Sequence, residues 1–523
     1  MSPSRYFWPI LLSILFFGVG YRLFPLFAGA EQQARFFITE DGYLMLTVAR
    51  NLALGNGLSV SDGTIATNGV QPLATFIYTL PYLFTGGDKQ ESLFWVILIM
   101  ATWSVMATAA IYAFARAVLA PIDAVPLAAL AAVLWFVGPL ALLHSMNALE
   151  TGLYVGLVAA TMTVFGAICA RPGLYTYRDQ VLLGCLCGLV FLARIDGAIL
   201  VMALFAVRFV YVQVSGQASF REAVAEAFPT GLLTLVFALP WLLHNHIFFG
   251  SIMPISGPAQ SLDAVFGNNL NILPVKVFET MFPMFPIPSG IERVPSIVMG
   301  TTALAALVFV TFLLRILITR HPQWPMIVAY TLYGAGLMTY YGLFFGAGHF
   351  LSRYMAPLGP LLIVSAIWVA VMIFRPLFGT RAGAMLQVAG LAASVLAVAL
   401  LVRLTLPGVK DQGHFQVVEW VEDNVGAEDW VGAIQTGTLG YWHDRTINLD
   451  GKVNPDALTA RRDEGDVLTY VTEADIKYLV DWASIAGWVN RGNAGFTESF
   501  EVVVEDRQRN LGVLRRKLSD SGN

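Results

Sequence analysis

A polytopic α-helical membrane protein with a small polar α/β segment at its C-terminal end is the fold class this sequence predicts. Three observations point there. Hydrophobic residues fill 57% of the 523 positions and charged residues only 13%, and mean hydropathy is +0.66, too apolar for a water-soluble globule. Apolar segments of about 20 residues, the length that crosses a bilayer as a helix, recur as far as residue 407. From Gly408 onward the composition shifts to charges, Asp-Gly and Asn-Pro turns and short strand-like runs.

Taken in order, the apolar segments fall at 6–29, 92–118, 122–144, 150–171, 180–194, 196–213, 227–248, 297–318, 324–344, 356–376 and 384–407, eleven predicted spans. The first carries one early arginine and no small-residue cleavage site, so it reads as a retained span. The stretch 180–194 is short enough to form one bent helix with 196–213. Arginines in short loops mark the cytoplasmic side: Arg5, Arg116, Arg171, Arg178, Arg208, Arg221, Arg315, Arg320, Arg375 and Arg381 all lie there in one consistent topology, with the N-terminus cytoplasmic. That topology requires Pro72 to Phe84 to lie as a juxtamembrane helix on the outer side; the alternative is that 72–86 crosses, which inverts the sides of the next few loops. The outer face then receives the first loop (30–91), the turns at 147–150 and 194–196, a second long loop (249–296), the 345–355 loop and everything after Leu406. Most of the unusual polar residues collect on that one face, as expected where polar groups line a cavity or pathway.

The C-terminal segment, 408–523, reads as an extracytoplasmic α/β domain appended to a membrane domain, 1–407: TINLD, IKYLVDW, SFEVVVED and LGVLRR look like strands and HFQVVEWVEDNV like a helix. A net charge of -4 excludes a broad basic surface, so nucleic acid is not an expected partner. Cys169, Cys185 and Cys187 all sit in apolar segments, which leaves no disulfide framework and no metal cluster to expect. No nucleotide-binding fingerprint or nucleophile elbow stands in a convincing context.

The chemistry concentrates in ITEDGYLMLTVARNLALGNGLSV, just beyond the first span. Ionised groups near hydrocarbon are costly unless paired or functional. A carboxylate at such a boundary, Glu40 or Asp41, can serve as a general base on a sugar hydroxyl or at a lipid phosphate. The plainer alternative is that Glu40 caps the helix that follows, Tyr43 to Leu54, which reads as an interfacial amphipathic helix stopped by Gly55–Gly57.

The acid pair followed by VARNLALGNGLSV and TNGVQPLATFIY resembles the first outer loop of the GT-C class of integral-membrane glycosyltransferases. More narrowly, it is similar to a bacterial subgroup akin to the mycobacterial arabinofuranosyltransferases and their mannosyltransferase relatives. MNALETGL, GLVFLARID, ALPWLLHNHIFFGSIMPIS, FLSRYMAPLGP and INLDGKVN resemble further motifs of that subgroup in the same order along the chain. The resemblance implies a bacterial inner-membrane enzyme that moves a hexosyl or pentosyl unit from a polyprenyl-phosphate donor to a cell-envelope glycan, lipid or protein outside the cytoplasm, with an acid of the first loop as base. The subgroup more often has Asp-Asp where this chain has Glu40-Asp41, which leaves open which is the base and favours Asp41. The second long loop resembles the outer loop that closes over the lipid donor in such enzymes. Other readings of the same composition are a transporter or flippase of lipid-linked sugars and a non-enzymatic envelope-assembly protein.

A departing lipid phosphate needs positive charge, and arginine suits it by its planar fork. Arg353 beside Tyr354 is the first choice, Arg194 and Arg50 the second; the alternatives are that Arg353 snorkels to the interface, Arg194 only pairs with Asp196, and Arg50 covers headgroups. Glu150, Asp196, His349 and Asn245 are expected to orient substrate, against the plainer roles of helix-end acid or interfacial polar cap. Asp450, Asn454 and Trp442 could bind glycan or simply form a turn and a core. No resident cofactor is expected; a divalent cation bridging an acid and the lipid phosphate is conceivable, although no ligand spacing requires one.

Overall fold

The computed structural model describes residues 5–122, 125–262, 264–405 and 414–517. Among the described residues eight helices are long and apolar enough to cross a membrane: Phe7–Phe27, Lys89–Ile122, Thr151–Cys169, Gly197–Val214, Phe220–Phe249, Pro295–Ile318, Gly348–Phe378 and Ala382–Thr405. The protein is a multi-pass membrane protein. The expected span 122–144 is not one rod but two helices, Val125–Val137 and Pro139–Ser145, bent by 63°; taken as one span they make a ninth. The break has a local cause. Pro139 has no N–H to continue the ladder; the Gly138 N–H turns to the Trp135 carbonyl at 3.2 Å, and the buried Arg22 guanidinium donates to the Phe136 carbonyl at the bend, at 2.7 Å.

The remaining expected spans, 180–194 and 324–344, are the helices Tyr177–Ala193 and Trp324–Leu343. Tyr177–Ala193 does not fuse into Gly197–Val214: Arg194 is extended at φ -156° and ψ 135°, and the turn it begins separates the two. Pro72–Phe84 is a 13-residue helix, about 20 Å long and therefore short of a crossing. The helix after the acid pair starts at Glu40 and runs to Ala53. Every residue from Gly42 to Ala49 on it is buried, so it does not lie on the lipid surface as expected. Its outer side is covered by the C-terminal segment, with Tyr43 packed on Tyr441 at 5.1 Å between ring centres.

A short antiparallel hairpin, β1 (Ser59–Val60) and β2 (Ile65–Ala66), follows that helix. The C-terminal segment builds a five-stranded mixed sheet from β3 (Val431–Ala433), β4 (Thr446–Asn448), β5 (Tyr478–Asp481), β6 (Phe500–Asp506) and β7 (Leu511–Arg516), in the order β4-β3-β5-β7-β6. β3 runs parallel to β4 and β5, whereas β5–β7 and β7–β6 are antiparallel. β3 lies inside the sheet yet is absent from the sequence reading, because three residues ending in Gly-Ala carry too little alternation to register. The expected boundary at 407–408 lies outside the described residues. A parallel pair such as β3–β4 directs its connecting loops toward one end of the sheet, and here the turn after β4, Leu449–Val453, points at the first loop of the membrane part: the α-carbon of Gly69 packs against the Lys452 carbonyl so closely that no β-carbon would fit.

Candidate active site

The first and second long loops, the 345–355 region and the Leu449–Val453 turn enclose a cavity of about 450 Å³. Its lining combines apolar side chains, among them Leu44, Phe191, Leu242, Ile252 and Met253, with the polar and charged group Asp41, Arg194, Asp196, Arg353, Tyr354 and Lys452.

Asp41 reaches this cavity because Thr39, not Glu40, is the helix N-cap, accepting from the Gly42 N–H at 3.3 Å. Gly42 rests on the Asn147 carbonyl with no room for a β-carbon, and Thr39 N–H donates to that same carbonyl. The first turn of the helix is thereby pinned to the turn before Glu150, where Ala148 takes a left-handed φ of 60°. Adjacent residues on a helix point about 100° apart, so the two acids part company. Asp41 faces the cavity. Glu40 faces the C-terminal segment, accepting from the backbone N–H groups of Gly437 at 2.9 Å and Thr438 at 3.1 Å and from the Thr438 hydroxyl.

Asp41 meets two cations: Lys452 Nζ at 3.3 Å on Oδ1 and Arg353 Nη1 at 3.4 Å on Oδ2. Burial pulls its pKa upward, but the Lys452 and Arg353 charges outweigh that and hold the carboxyl below the usual range. For Glu40 burial prevails over its hydrogen bonds, and with Asp481 nearby its pKa is pushed up to about 7. Lys452 also pairs with Asp450 at 3.3 Å; the two carboxylates more than offset its burial and keep it firmly protonated.

Arg353, 8% exposed, is the bridge of the site. Its Nη2 donates to both oxygens of Glu150 at 3.1 and 3.2 Å, and Glu150 is fully buried. It therefore does not snorkel to an interface. Arg194 pairs with Asp196, Nη2 to Oδ2 at 2.5 Å, as the plainer alternative holds, yet both line the cavity. Asp196 is further held by the hydroxyls of Tyr341 at 2.6 Å and Tyr154 at 3.1 Å. Tyr354 stacks on Tyr341 at 4.2 Å between centres and donates to Gln260 Oε1 at 3.1 Å, with the Arg194 guanidinium 4.5 Å from its ring centre. Arg353 Nε and Arg194 Nη1 are buried donors with no hydrogen-bond partner among the described residues.

Three expected residues stand apart from this group. Arg50 donates to the Gly87 carbonyl at 2.8 Å and pairs with Asp444 at 3.2 Å, a tie between the first loop and the C-terminal segment. Asn245, fully buried, donates to the Ile252 carbonyl at 3.2 Å and so shapes the second loop behind the cavity wall. His349 packs on Phe350, 4.0 Å between ring centres, at the margin of the charged group. In the C-terminal segment Asn454 caps the helix Pro455–Glu464 and braces β4, donating to the Asn448 carbonyl; Asp450 holds Lys452; Trp442 packs on Tyr441 and Phe415. Among the described residues no group of three or more His, Cys, Asp or Glu side chains is placed to hold a metal ion.

Lys452 and Tyr341 are the residues that sequence reasoning missed. Lys452 stands inside INLDGKVN, beside the Asp450 and Asn454 singled out there, but 411 positions from Asp41. Tyr341 sits in an apolar helix, where a tyrosine reads as core.

Residues 405–512 match a family model described as a domain of unknown function (DUF8728). No curated protein matches the chain. Among solved structures, ArnT from Cupriavidus metallidurans bound to undecaprenyl phosphate is 13% identical, with a TM-score of 0.59 over 99% of this chain and 100% of that one. ArnT in the apo state gives 0.55 at 13% identity, over 97% and 99% of the two chains. The oligosaccharyltransferase AglB from Archaeoglobus fulgidus, in complex with an inhibitory peptide and a dolichol-phosphate, gives 0.56 at 14% identity, over 93% of this chain and 71% of that one. The chain has the GT-C fold of these membrane proteins.

Proposed function

We propose that the protein is a glycosyltransferase that moves a sugar from a polyprenyl-phosphate donor to an acceptor hydroxyl, with Asp41 as general base. The observation that carries this reading is the cavity itself: a carboxylate and two arginines with spare donors in one lining with apolar side chains suited to an isoprenoid chain. Its support in the fold is the likeness to ArnT and AglB, whose structures hold undecaprenyl phosphate and a dolichol-phosphate.

In the proposed step the acceptor oxygen forms a bond to the anomeric carbon and loses its proton to Asp41. The bond from that carbon to the donor phosphate oxygen breaks, and its electron pair stays on the departing polyprenyl phosphate. Arg353 receives that charge, assisted by Arg194 and Tyr354; Glu150 and Asp196 hold the two guanidinium groups in place. Glu40 takes no part in proton transfer, since its carboxylate is consumed by the Gly437–Thr438 backbone.

The proposal extends to eleven transmembrane helices, an N-terminus in the cytoplasm of a bacterial inner membrane, an extracytoplasmic site and C-terminal domain, and an arabinofuranosyl- or mannosyltransferase-like subgroup acting on the cell envelope. A divalent ion bridging Asp41 and the lipid phosphate would have to displace Lys452 or Arg353, so we propose transfer without one. The test is purified protein in nanodiscs with radiolabelled polyprenyl-phosphate sugars of pentose and hexose type and an envelope extract as acceptor. Transfer that is lost in Asp41→Asn supports the reading. Sugar-lipid movement across vesicles that survives Asp41→Asn, without transfer, would replace it with transport.

A further inference from the structure

The Leu449–Val453 turn is built to hold one lysine over the base. Asn448 Oδ1 accepts the Gly451 N–H at 3.0 Å, Asp450 Oδ1 accepts the Lys452 N–H at 2.9 Å, and Arg461 donates to the Asp450 carbonyl at 2.6 Å. Gly69 is fitted against the Lys452 carbonyl from the other side. With its backbone fixed by four contacts, the Lys452 side chain is left to reach into the cavity, 19% exposed, where it lies within 3.3 Å of both Asp41 and Asp450. If its purpose were only to attach the C-terminal sheet to the membrane part, that attachment is already made by Glu40 on Gly437 and Thr438, and by Arg50 and Lys89 on Asp444.

The charges raise a difficulty that Lys452 resolves. A base hydrogen-bonded to two cations is a weak base, because each stabilises the carboxylate and lowers its appetite for a proton. The phosphodiester of a lipid-phosphate sugar bears one negative charge, as a carboxylate does, and the departing monoester bears up to two; both are strong acceptors for lysine and arginine. An anion entering beside Asp41 competes for its two cations. Arg353 remains anchored by Glu150. Lys452, on a flexible stem with a compact charge, is the freer of the two to turn.

We infer that Lys452 is a donor-phosphate ligand contributed by the C-terminal segment: it neutralises Asp41 until the lipid phosphate binds, then passes to that phosphate and leaves Asp41 free to take the acceptor proton. This rests on the transferase reading above. The C-terminal sheet is then part of the active site, and the base becomes effective only when the donor is in place, which guards the charged pocket against idle protonation.

The experiment is binding of undecaprenyl phosphate, without sugar, to the full-length protein in nanodiscs, comparing wild type, Lys452→Gln, Lys452→Arg, Asp41→Asn, Arg353→Gln and the Asp41→Asn/Lys452→Gln pair. Lys452→Gln is expected to bind about tenfold more weakly or worse, and Lys452→Arg within about threefold of wild type, since loss of one charged hydrogen bond of this kind is worth a factor of ten or more. Asp41→Asn, a near-isosteric change, is expected to bind several-fold more tightly because both cations are released, and less of that gain is expected when Lys452 is already glutamine. Wild-type affinity in Lys452→Gln, or no gain in Asp41→Asn, would overturn the inference. Should Arg353→Gln lose binding while Lys452→Gln does not, the transferase reading stands and this inference alone falls. Wild type that does not bind the lipid phosphate would bring down both.

Discussion

Glu40 and Asp41 are neighbours in sequence with different tasks, and removing each carboxylate separates them. Glu40→Ala takes away the one oxygen that accepts both the Gly437 and Thr438 N–H groups, together with the partner of the Thr438 hydroxyl. The two backbone donors are left largely buried without a partner, at about 1–3 kcal/mol each. The contact between the first loop and the C-terminal segment should weaken by about 2–6 kcal/mol. Hydrogen exchange at the Gly437 and Thr438 amides reads this directly, and should accelerate by a factor of about 30 or more. In Asp41→Asn the accounting differs. Arg353 keeps Glu150 and Lys452 keeps Asp450, so neither cation is stranded and exchange at those amides should stay near wild type. Turnover, by contrast, should fall about 10²- to 10⁴-fold with loss of the general base. Comparison of exchange with turnover per docked molecule decides the matter. Asp41→Asn retaining turnover within about tenfold of wild type, or Glu40→Ala abolishing turnover with its exchange unchanged, would refute the assignment.

Other consequences follow from the same geometry. Arg353→Ala leaves Glu150 as a buried charge whose nearest remaining cation is Arg194 Nη1, 3.9 Å away, and should cost about 3–5 kcal/mol of stability, measurable as a lowered thermal transition in detergent; Arg353→Lys should recover stability better than turnover, because a lysine cannot serve Glu150 and Asp41 with a planar fork. Docking of the C-terminal segment should depend on pH through Glu40. Its folded pKa is raised above the unfolded value, so its contribution is full below about 4.5 and is lost as pH rises through about 7; exchange at Gly437 should therefore slow as pH is lowered from 7.5 to 5, after correction for intrinsic exchange, and Glu40→Gln should lose that dependence. Asp41, with its pKa held low, acts in the opposite sense and only at more acidic pH, its contribution being lost as pH falls through its folded value. Gly437→Ala places a methyl group on the Glu40 backbone and should undock the segment as strongly as Glu40→Ala, seen in the same exchange measurement.

By itself the sequence determined the membrane class and the positions of the apolar helices, because burial in lipid demands long apolar runs that no packing detail can disguise. It also located the acid pair, Arg353, Glu150, Arg194 and Asp196, since a charge beside an apolar span is visible wherever the chain later folds. The kink at Gly138–Pro139 was written in the proline but read as part of a straight span, because hydropathy averages over such a residue. What only the tertiary structure decided is which neighbour each charge meets. Glu40 and Asp41 are equivalent to any linear reading, yet successive helix positions point about 100° apart, and it is the seating of Gly42 on the Asn147 carbonyl that turns Asp41 into the cavity and Glu40 toward Gly437. Tyr43 to Leu54 looked interfacial because part of the surface that buries its first half, Tyr441 included, comes from the far end of the chain, and the rest from the helices Pro72–Phe84 and Lys89–Ile122, which only the fold brings against it. Lys452 is the extreme case, 411 positions from the acid it touches: a lysine in a polar turn carries no local mark of function, and only the docking of the C-terminal sheet over the first loop brings its charge to Asp41.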